Sequence, residues 1–329
     1  MSATVFVTAP RLGESGVRAL AESGSRVIYL PEGGGRAEVE EILAREAVDA
    51  VISRTVELSA EAIESCPSLR VITTHGVGGG NIDVEAATRR GIPVLTTPGA
   101  NAQSVAELTI ALMFTAARRV SWMDAEIRQG RWSRAQDGRQ LAGATLGLVG
   151  AGQIGQRVAR TAAATGMRVL AFDPGLGLDA PSPELTMVGS LEELLGQADV
   201  LSLHVPLSER TRGLIGAAQR ALRPADATVL NTARGESVDE PALGDSLRSG
   251  RLFAAGLDTT WAEPIEPGNP LLTCPNVVIT PHVGGSTPAA LEAMALAAAR
   301  NVLGYLDGAI PDVRSCVNPT TLSAERSTA

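Results

Sequence analysis

Near the start of the chain, short apolar runs begin to alternate with longer stretches whose apolar residues recur at helical spacing. Residues 4–9, 26–30, 50–53, 70–73 and 93–96 read as strands. Alternation of this kind predicts a parallel sheet covered by helices. A helical pattern then runs from about residue 105 to about 128 without Pro or Gly, with apolar positions at Leu108, Ala111, Leu112 and Ala116. Ser104 is its expected N-cap, and Glu107 completes a capping box. Such a helix would bridge two domains or pack against a partner subunit.

A second, more regular series follows, with strands near 145–149, 168–172, 200–204, 228–231, 254–257 and 277–279. Six strands with intervening helices are the count expected of a complete dinucleotide-binding fold. Beyond Pro281 the pattern is helical again from about 288 to 306, ending near Gly308, and the last dozen residues are polar. The final helix reads as returning to the first domain. The expected fold class is therefore α/β with two Rossmann-like domains built on doubly wound parallel sheets. A discontinuous, flavodoxin-like substrate domain (1–98 plus 290–329) would carry an inserted cofactor domain (99–289).

Composition is consistent with this picture and removes several function classes. At 329 residues and 44% hydrophobic content the chain can bury two cores. A net charge of −8 and a pI near 5.1 argue against nucleic acid or an anionic membrane as the main partner. All 28 Lys-or-Arg positions are Arg. Schiff-base chemistry and the P-loop lysine are thus unavailable, which excludes pyridoxal-phosphate enzymes, class I aldolases and Walker-type NTPases. Cys66, Cys274 and Cys316 have no paired spacing, so neither a metal site nor a disulfide framework is expected, and a reducing cytosol fits. The N-terminus carries no basic and apolar targeting pattern, and no apolar run reaches about 18 residues.

Gly150-Ala151-Gly152-Gln153-Ile154-Gly155 fits G-x-G-x-x-G. A bare match is weak in a chain with 35 glycines, but this one follows an apolar strand and opens a helix. Gly150 allows the tight turn, Gly152 lets the backbone approach a pyrophosphate, and Gly155 lets helix and strand pack closely. Asp173 lies 18 residues past Gly155, at the end of the next strand. An acid there accepts hydrogen bonds from ribose hydroxyls and repels a 2′-phosphate, so NAD is favoured over NADP.

There are three histidines, His75, His204 and His282. His282 lies just past a strand, beside Pro281 and the glycines Gly284 and Gly285 that let a ligand come close. His204 also ends a strand, where packing near the cofactor and a chemical role are equally open. His75 sits in the first domain's glycine loop, facing substrate or solvent. Arg234 ends another strand, and its planar fork suits bidentate binding of a carboxylate. Glu263 follows the fifth strand of the second series, where a carboxylate held against His282 would orient the imidazole. Open α/β sheets bind ligands at this carboxyl edge.

Six segments carry a resemblance: Gly76-Val77-Gly78 through Asp83, Thr97 through Glu107, the glycine motif, His204-Val205-Pro206-Leu207, Asn231 through Gly235, and Thr280 through Gly285. In this order they resemble the D-isomer-specific 2-hydroxyacid dehydrogenases over nearly the whole chain, most of all the phosphoglycerate dehydrogenases and hydroxypyruvate or glyoxylate reductases. The resemblance implies that Arg234 grips the substrate carboxylate, that His282 exchanges the hydroxyl proton and that Glu263 supports it. It further implies cofactor contacts at Ser104, His204, Val205, Pro206, Thr232, Ala233, Asp258 and Gly284, besides the glycine motif. Substrate contacts would fall at His75, Gly76, Val77 and Gly78; Arg54, just after a strand, is the candidate cation for a phosphorylated substrate. A homodimer is expected, and two domains would close on the ternary complex.

Two departures from the family pattern stand out. Gly80 replaces an acid before Asn81, which predicts a more mobile substrate loop. Thr259-Thr260-Trp261 replaces a commoner Val-Phe pair and its neighbour beside Glu263. The sequence ends without the extra C-terminal regulatory domain of many phosphoglycerate dehydrogenases, so serine feedback is not expected. The rival from another class is an NAD(H)-responsive binding protein of the corepressor type on the same fold. It would keep the glycine motif and Asp173 without needing a working acid and base.

Overall fold

The computed structural model describes residues 2–134, 137–217 and 226–324, which separate into two compact units. The first comprises Met1–Asn101 and Ser286–Ala329, and the second Ala102–Gly285. The last five residues of the polar tail lie outside the described residues.

In the first unit, strands β1 (Thr4–Val7), β2 (Arg26–Tyr29), β3 (Ala50–Ser53), β4 (Val71–Thr74) and β5 (Val94–Leu95) form a parallel sheet in the order β2-β1-β3-β4-β5. Strand alternation separates its two cores. Phe6, Val51 and Ile72 pack with helices Arg36–Arg45, Ala60–Glu64 and Val84–Arg89 on one face. Val5, Val7, Ile52 and Val71 pack on the other against Ala295, Ala298, Ala299 and Val302 of the helix Pro288–Leu306. The alanine face of that helix admits close approach: a Cβ on Gly16 would stand 2.8 Å from the Ala295 carbonyl oxygen. Glu292 then caps the neighbouring helix Glu14–Glu22, which lacks a side-chain cap of its own, by accepting from the backbone N–H groups of Glu14 and Ser15 at 2.9 and 2.8 Å. Caps of this kind contribute about 1 kcal/mol.

In the second unit, β6 (Thr145–Val149), β7 (Arg168–Phe172), β8 (Thr186–Met187), β9 (Val200–Leu203), β10 (Ala227–Asn231), β11 (Leu252–Leu257) and β12 (Val277–Ile279) form a seven-stranded parallel sheet, ordered β12-β11-β10-β9-β6-β7-β8. Chain direction across the sheet reverses between β6 and β9, the switch point at which such sheets bind ligands. The strand count exceeds the expected six because β8, two residues long and not fully buried, leaves no apolar run to read.

The long helix expected as one piece is two, Ala102–Arg118 and Val120–Arg128. They are divided at Arg119, which adopts the left-handed conformation with φ 53° and stacks its guanidinium on Trp122 at 4.7 Å. Neither Pro nor Gly marks the break, which is why periodicity carries through it. Ser104 is not the N-cap. The helix starts at Ala102, and the Ser104 hydroxyl instead donates to the Gly284 carbonyl at 2.6 Å.

Candidate active site

At the switch point, Gly150 follows β6 with φ 98°, and a Cβ there would meet the His204 carbonyl oxygen at 2.5 Å. A Cβ on Gly155 would stand 2.4 Å from the Gly150 carbonyl oxygen, whereas one on Gly152 would meet nothing within 4 Å. The first and third glycines are therefore demanded by packing inside the protein, and the second leaves open space. Helix Gln153–Ala164 starts there without a side-chain cap. Its first N–H groups, around Gln153, Ile154 and Gly155, are free to bind an anion, and the macrodipole favours one. A dinucleotide pyrophosphate fits this cradle.

Asp173 stands one residue past β7, its carboxylate accepting from Ala151 N–H at 3.0 Å and Gly175 N–H at 2.9 Å. The carboxylate so ties the glycine loop to the end of the neighbouring strand. His204 stands past β9, with Nε2 bonded to the Ser202 hydroxyl at 2.9 Å and Nδ1 buried without a partner. Burial pushes its pKa down to about 4, so the ring is neutral at physiological pH. Val205 packs beside Gly150, and Pro206 is exposed.

His282 and Glu263 come together, His282 Nδ1 lying 2.7 Å from Glu263 Oε2, with both side chains about half exposed. Glu263 precedes a cis proline, and its Oε1 also accepts from Thr260 N–H at 3.3 Å. His282 has φ 52°, a left-handed conformation that costs a non-glycine residue about 1 kcal/mol. Asp258, 2% exposed, enforces it. The Asp258 carbonyl accepts from His282 N–H at 2.9 Å, and the carboxylate accepts from Val283 N–H, Gly284 N–H and the Thr280 hydroxyl at 2.9, 2.8 and 2.6 Å. Gly284 is needed at this spot, since a Cβ would lie 2.9 Å from the Asp258 carboxylate.

Arg234 follows β10 on a loop shaped by Asn231, the first residue of the same motif segment. The Asn231 amide donates to the Arg234 carbonyl at 2.7 Å and accepts from Ala233 N–H at 3.0 Å. Thr232 is buried and bonded to the Thr109 hydroxyl at 2.8 Å.

In the first unit, Arg54 and His75 each stand one residue beyond neighbouring strands, β3 and β4. They are joined through the bond from His75 N–H to the Ser53 carbonyl at 2.8 Å. Burial, reinforced by the Arg54 charge, pushes His75 down to about 4. Arg54 is itself lowered by burial and by the charge of Arg11, a residue without motif signal. Among the described residues neither Arg11 nor Arg54 has a carboxylate partner, so this edge is cationic. The loop Gly76-Val77-Gly78 follows, with Gly76 at φ 149°, and Asn81 anchors its far end by donating to the Arg54 and Val56 carbonyls at 2.9 and 2.8 Å.

Residues 110–284 match the family model described as D-isomer specific 2-hydroxyacid dehydrogenase, NAD binding domain. The D-3-phosphoglycerate dehydrogenase of Methanocaldococcus jannaschii is 38% identical over 324 residues, 98% of this chain; the chain spans only 60% of that relative's length. The hydroxypyruvate reductase of Thermotoga maritima is 42% identical over 245 residues, covering 73% of this chain and 79% of the relative. The crystal structure of a glyoxylate reductase from Paecilomyes thermophila is similar with a TM-score of 0.82 at 31% identity, over 93% of this chain and 96% of that one.

Proposed function

The chain belongs to the D-isomer-specific 2-hydroxyacid dehydrogenase family, and from that premise we propose that it is an NAD-dependent oxidoreductase interconverting a D-2-hydroxy acid and its 2-oxo acid. The substrate class is 3-phosphoglycerate or hydroxypyruvate and glyoxylate. The observation that carries this reading is the 2.7 Å His282–Glu263 bond at the carboxyl end of the sheet that also presents the uncapped glycine-loop helix. A binding protein would not need such a pair.

The protonation pattern follows from the acceptor. An ionised carboxylate can only accept, so Nδ1 of His282 carries the proton and Nε2 keeps its lone pair. In the oxidative direction Nε2 takes the C2 hydroxyl proton, and Glu263 stabilises the imidazolium that forms. In reduction Nε2–H returns the proton to the carbonyl oxygen. Arg234 binds the substrate carboxylate and neutralises charge at the carbonyl. NAD, when bound, supplies the hydride acceptor for C2.

We assign the glycine motif, His204, Val205, Pro206, Thr232, Ala233, Asp258, Ser104 and Gly284 to the cofactor surroundings, with Ser104 and Asp258 acting on Gly284. Asp173 selects NAD against NADP. In the first unit we assign Arg54, His75, Gly76, Val77 and Gly78 to substrate, and the cationic edge at Arg54 accords with an anionic group. Self-association as a homodimer is supported by helix Val120–Arg128, which buries none of its residues in the chain and exposes Val120, Met123 and Ile127 on one face. A cytosolic setting accords with three free, buried cysteines. Among the described residues no helix is long and apolar enough to cross a membrane.

The test is NADH oxidation with glyoxylate, hydroxypyruvate and 3-phosphohydroxypyruvate, comparing the protein with His282→Ala and Arg234→Ala. Turnover of at least one acid, abolished in both variants, is expected. Wild-type kcat/KM in either variant would remove that residue from the mechanism.

A further inference from the structure

Glu240 is a buried acidic side chain that the mechanism above does not use. It opens helix Glu240–Arg248, where an acid is welcome, but that role needs no burial, and Asp239 already caps the helix. Glu240 is nevertheless 4% exposed. Among the described residues no cation pairs with it, and a buried carboxylate must then be held by hydrogen bonds. Both of its bonds reach into the segment after β11. Oε1 accepts from Trp261 N–H at 2.5 Å, and Oε2 accepts from the Asn269 side-chain amide at 2.6 Å.

Trp261 in turn joins two loops. Its indole N–H donates to the Val238 carbonyl at 2.5 Å, in the segment that follows Arg234. Next to it, Thr260 lies so close to Gly235 that a Cβ there would stand 2.1 Å from the Thr260 carbonyl oxygen. Thr260 N–H meets Glu263 Oε1. The chain of contacts therefore runs from Glu240 through Trp261 and Thr260 to Glu263, and from there to His282.

We propose that Glu240 is a positioning residue for the hydrogen-transfer site, a buried brace that sets Glu263 against His282 by holding the Thr260–Trp261 backbone. The inference rests on the dehydrogenase reading above. Misplacing an acid–base pair by about 1 Å can cost on the order of a hundredfold in rate, so a small change at Glu240 is expected to register at the site.

Glu240→Asp keeps the charge and the helix start but withdraws the carboxylate by one methylene, and Glu240→Gln keeps an oxygen in place for Trp261 N–H. With NADH and the best 2-oxo acid, E240D is expected to lose on the order of tenfold to a hundredfold in kcat. Its KM for NADH should be unchanged, because the glycine loop is untouched. E240Q should recover most of the rate. The pH profile of kcat/KM in E240D should move in the same direction as in Glu263→Gln, and the E240D/E263Q double variant should be no slower than E263Q alone. Multiplying losses in the double variant, a loss of NADH binding along with activity, or kcat within twofold of wild type in E240D would each overturn the brace. Glu263→Gln alone reads the underlying proposal. Activity lost there and retained in E240D refutes the role of Glu240 while leaving the pair standing.

Discussion

Replacing Glu263 by Gln preserves size and removes one charge at the atom 2.7 Å from His282 Nδ1. If the amide nitrogen turns toward the ring it donates, which forces the ring proton onto Nε2 and eliminates the lone pair that must take the hydroxyl proton. If the amide oxygen turns inward, the tautomer survives but nothing neutralises the imidazolium. Two unit charges about 4 Å apart interact by roughly 4 kcal/mol at an effective dielectric near 20, and half-exposure of both side chains reduces that figure. General-base catalysis contributes about 10²- to 10⁴-fold, equivalent to roughly 3–5 kcal/mol of barrier. We therefore expect kcat/KM to fall by at least about two decades. Folding should hardly respond, since an exposed pair contributes about 1 kcal/mol or less and Tm should move by no more than about 4 °C. Stopped-flow or steady-state NADH consumption gives the rate, and thermal unfolding gives the stability. Activity within threefold of wild type, or a loss explained by a melting point many degrees lower, would refute the reasoning.

Three further outcomes are expected. Asp173→Ala should weaken NAD binding and narrow the preference over NADP, measured by titrating both cofactors; an unchanged ratio counts against the assignment. His75 and His204 have folded pKa values near 4 against an ordinary 6.5, so the unfolded chain binds protons first as pH falls, and stability is lost between about pH 6.5 and pH 4. Each imidazole accounts for about 2 kcal/mol between pH 7 and pH 5. His75→Gln should flatten the urea-unfolding stability curve by about that amount, and an equally steep curve would contradict the burial argument. Arg54→Ala should lower kcat/KM for 3-phosphohydroxypyruvate by about tenfold to a hundredfold, the worth of one charged hydrogen bond, while sparing glyoxylate; equal effects on both, or none, would sink its role as an anion contact.

Particular residues show which features could be read along the chain. Periodicity located eleven of the twelve strands among the described residues, because buried parallel strands are continuous apolar runs. It passed over β8, too short to leave a pattern, and ran through the helix break at Arg119, where a left-handed turn without glycine has no compositional mark. The glycine motif was legible because each glycine meets a local steric demand, two from the protein's own backbone and one from the space left open. Glu240 had no such mark, because its hydrogen bonds to Trp261 and Asn269 span 21 and 29 residues of sequence.

What the sequence determined by itself is what local rules control: alternating elements, parallel sheets, the glycine turn after β6, and the placing of Arg234, Glu263 and His282 after strands. Tertiary structure alone decided the 2.7 Å contact of Glu263 Oε2 with His282 Nδ1, that Asp258 holds the histidine in a left-handed conformation, and that a buried Glu240 ties down the loop between them. The reason is physical. Strand and helix preferences depend on neighbours within a few residues, whereas the pairing of polar side chains depends on which strands the sheet order makes adjacent, here β10, β11 and β12.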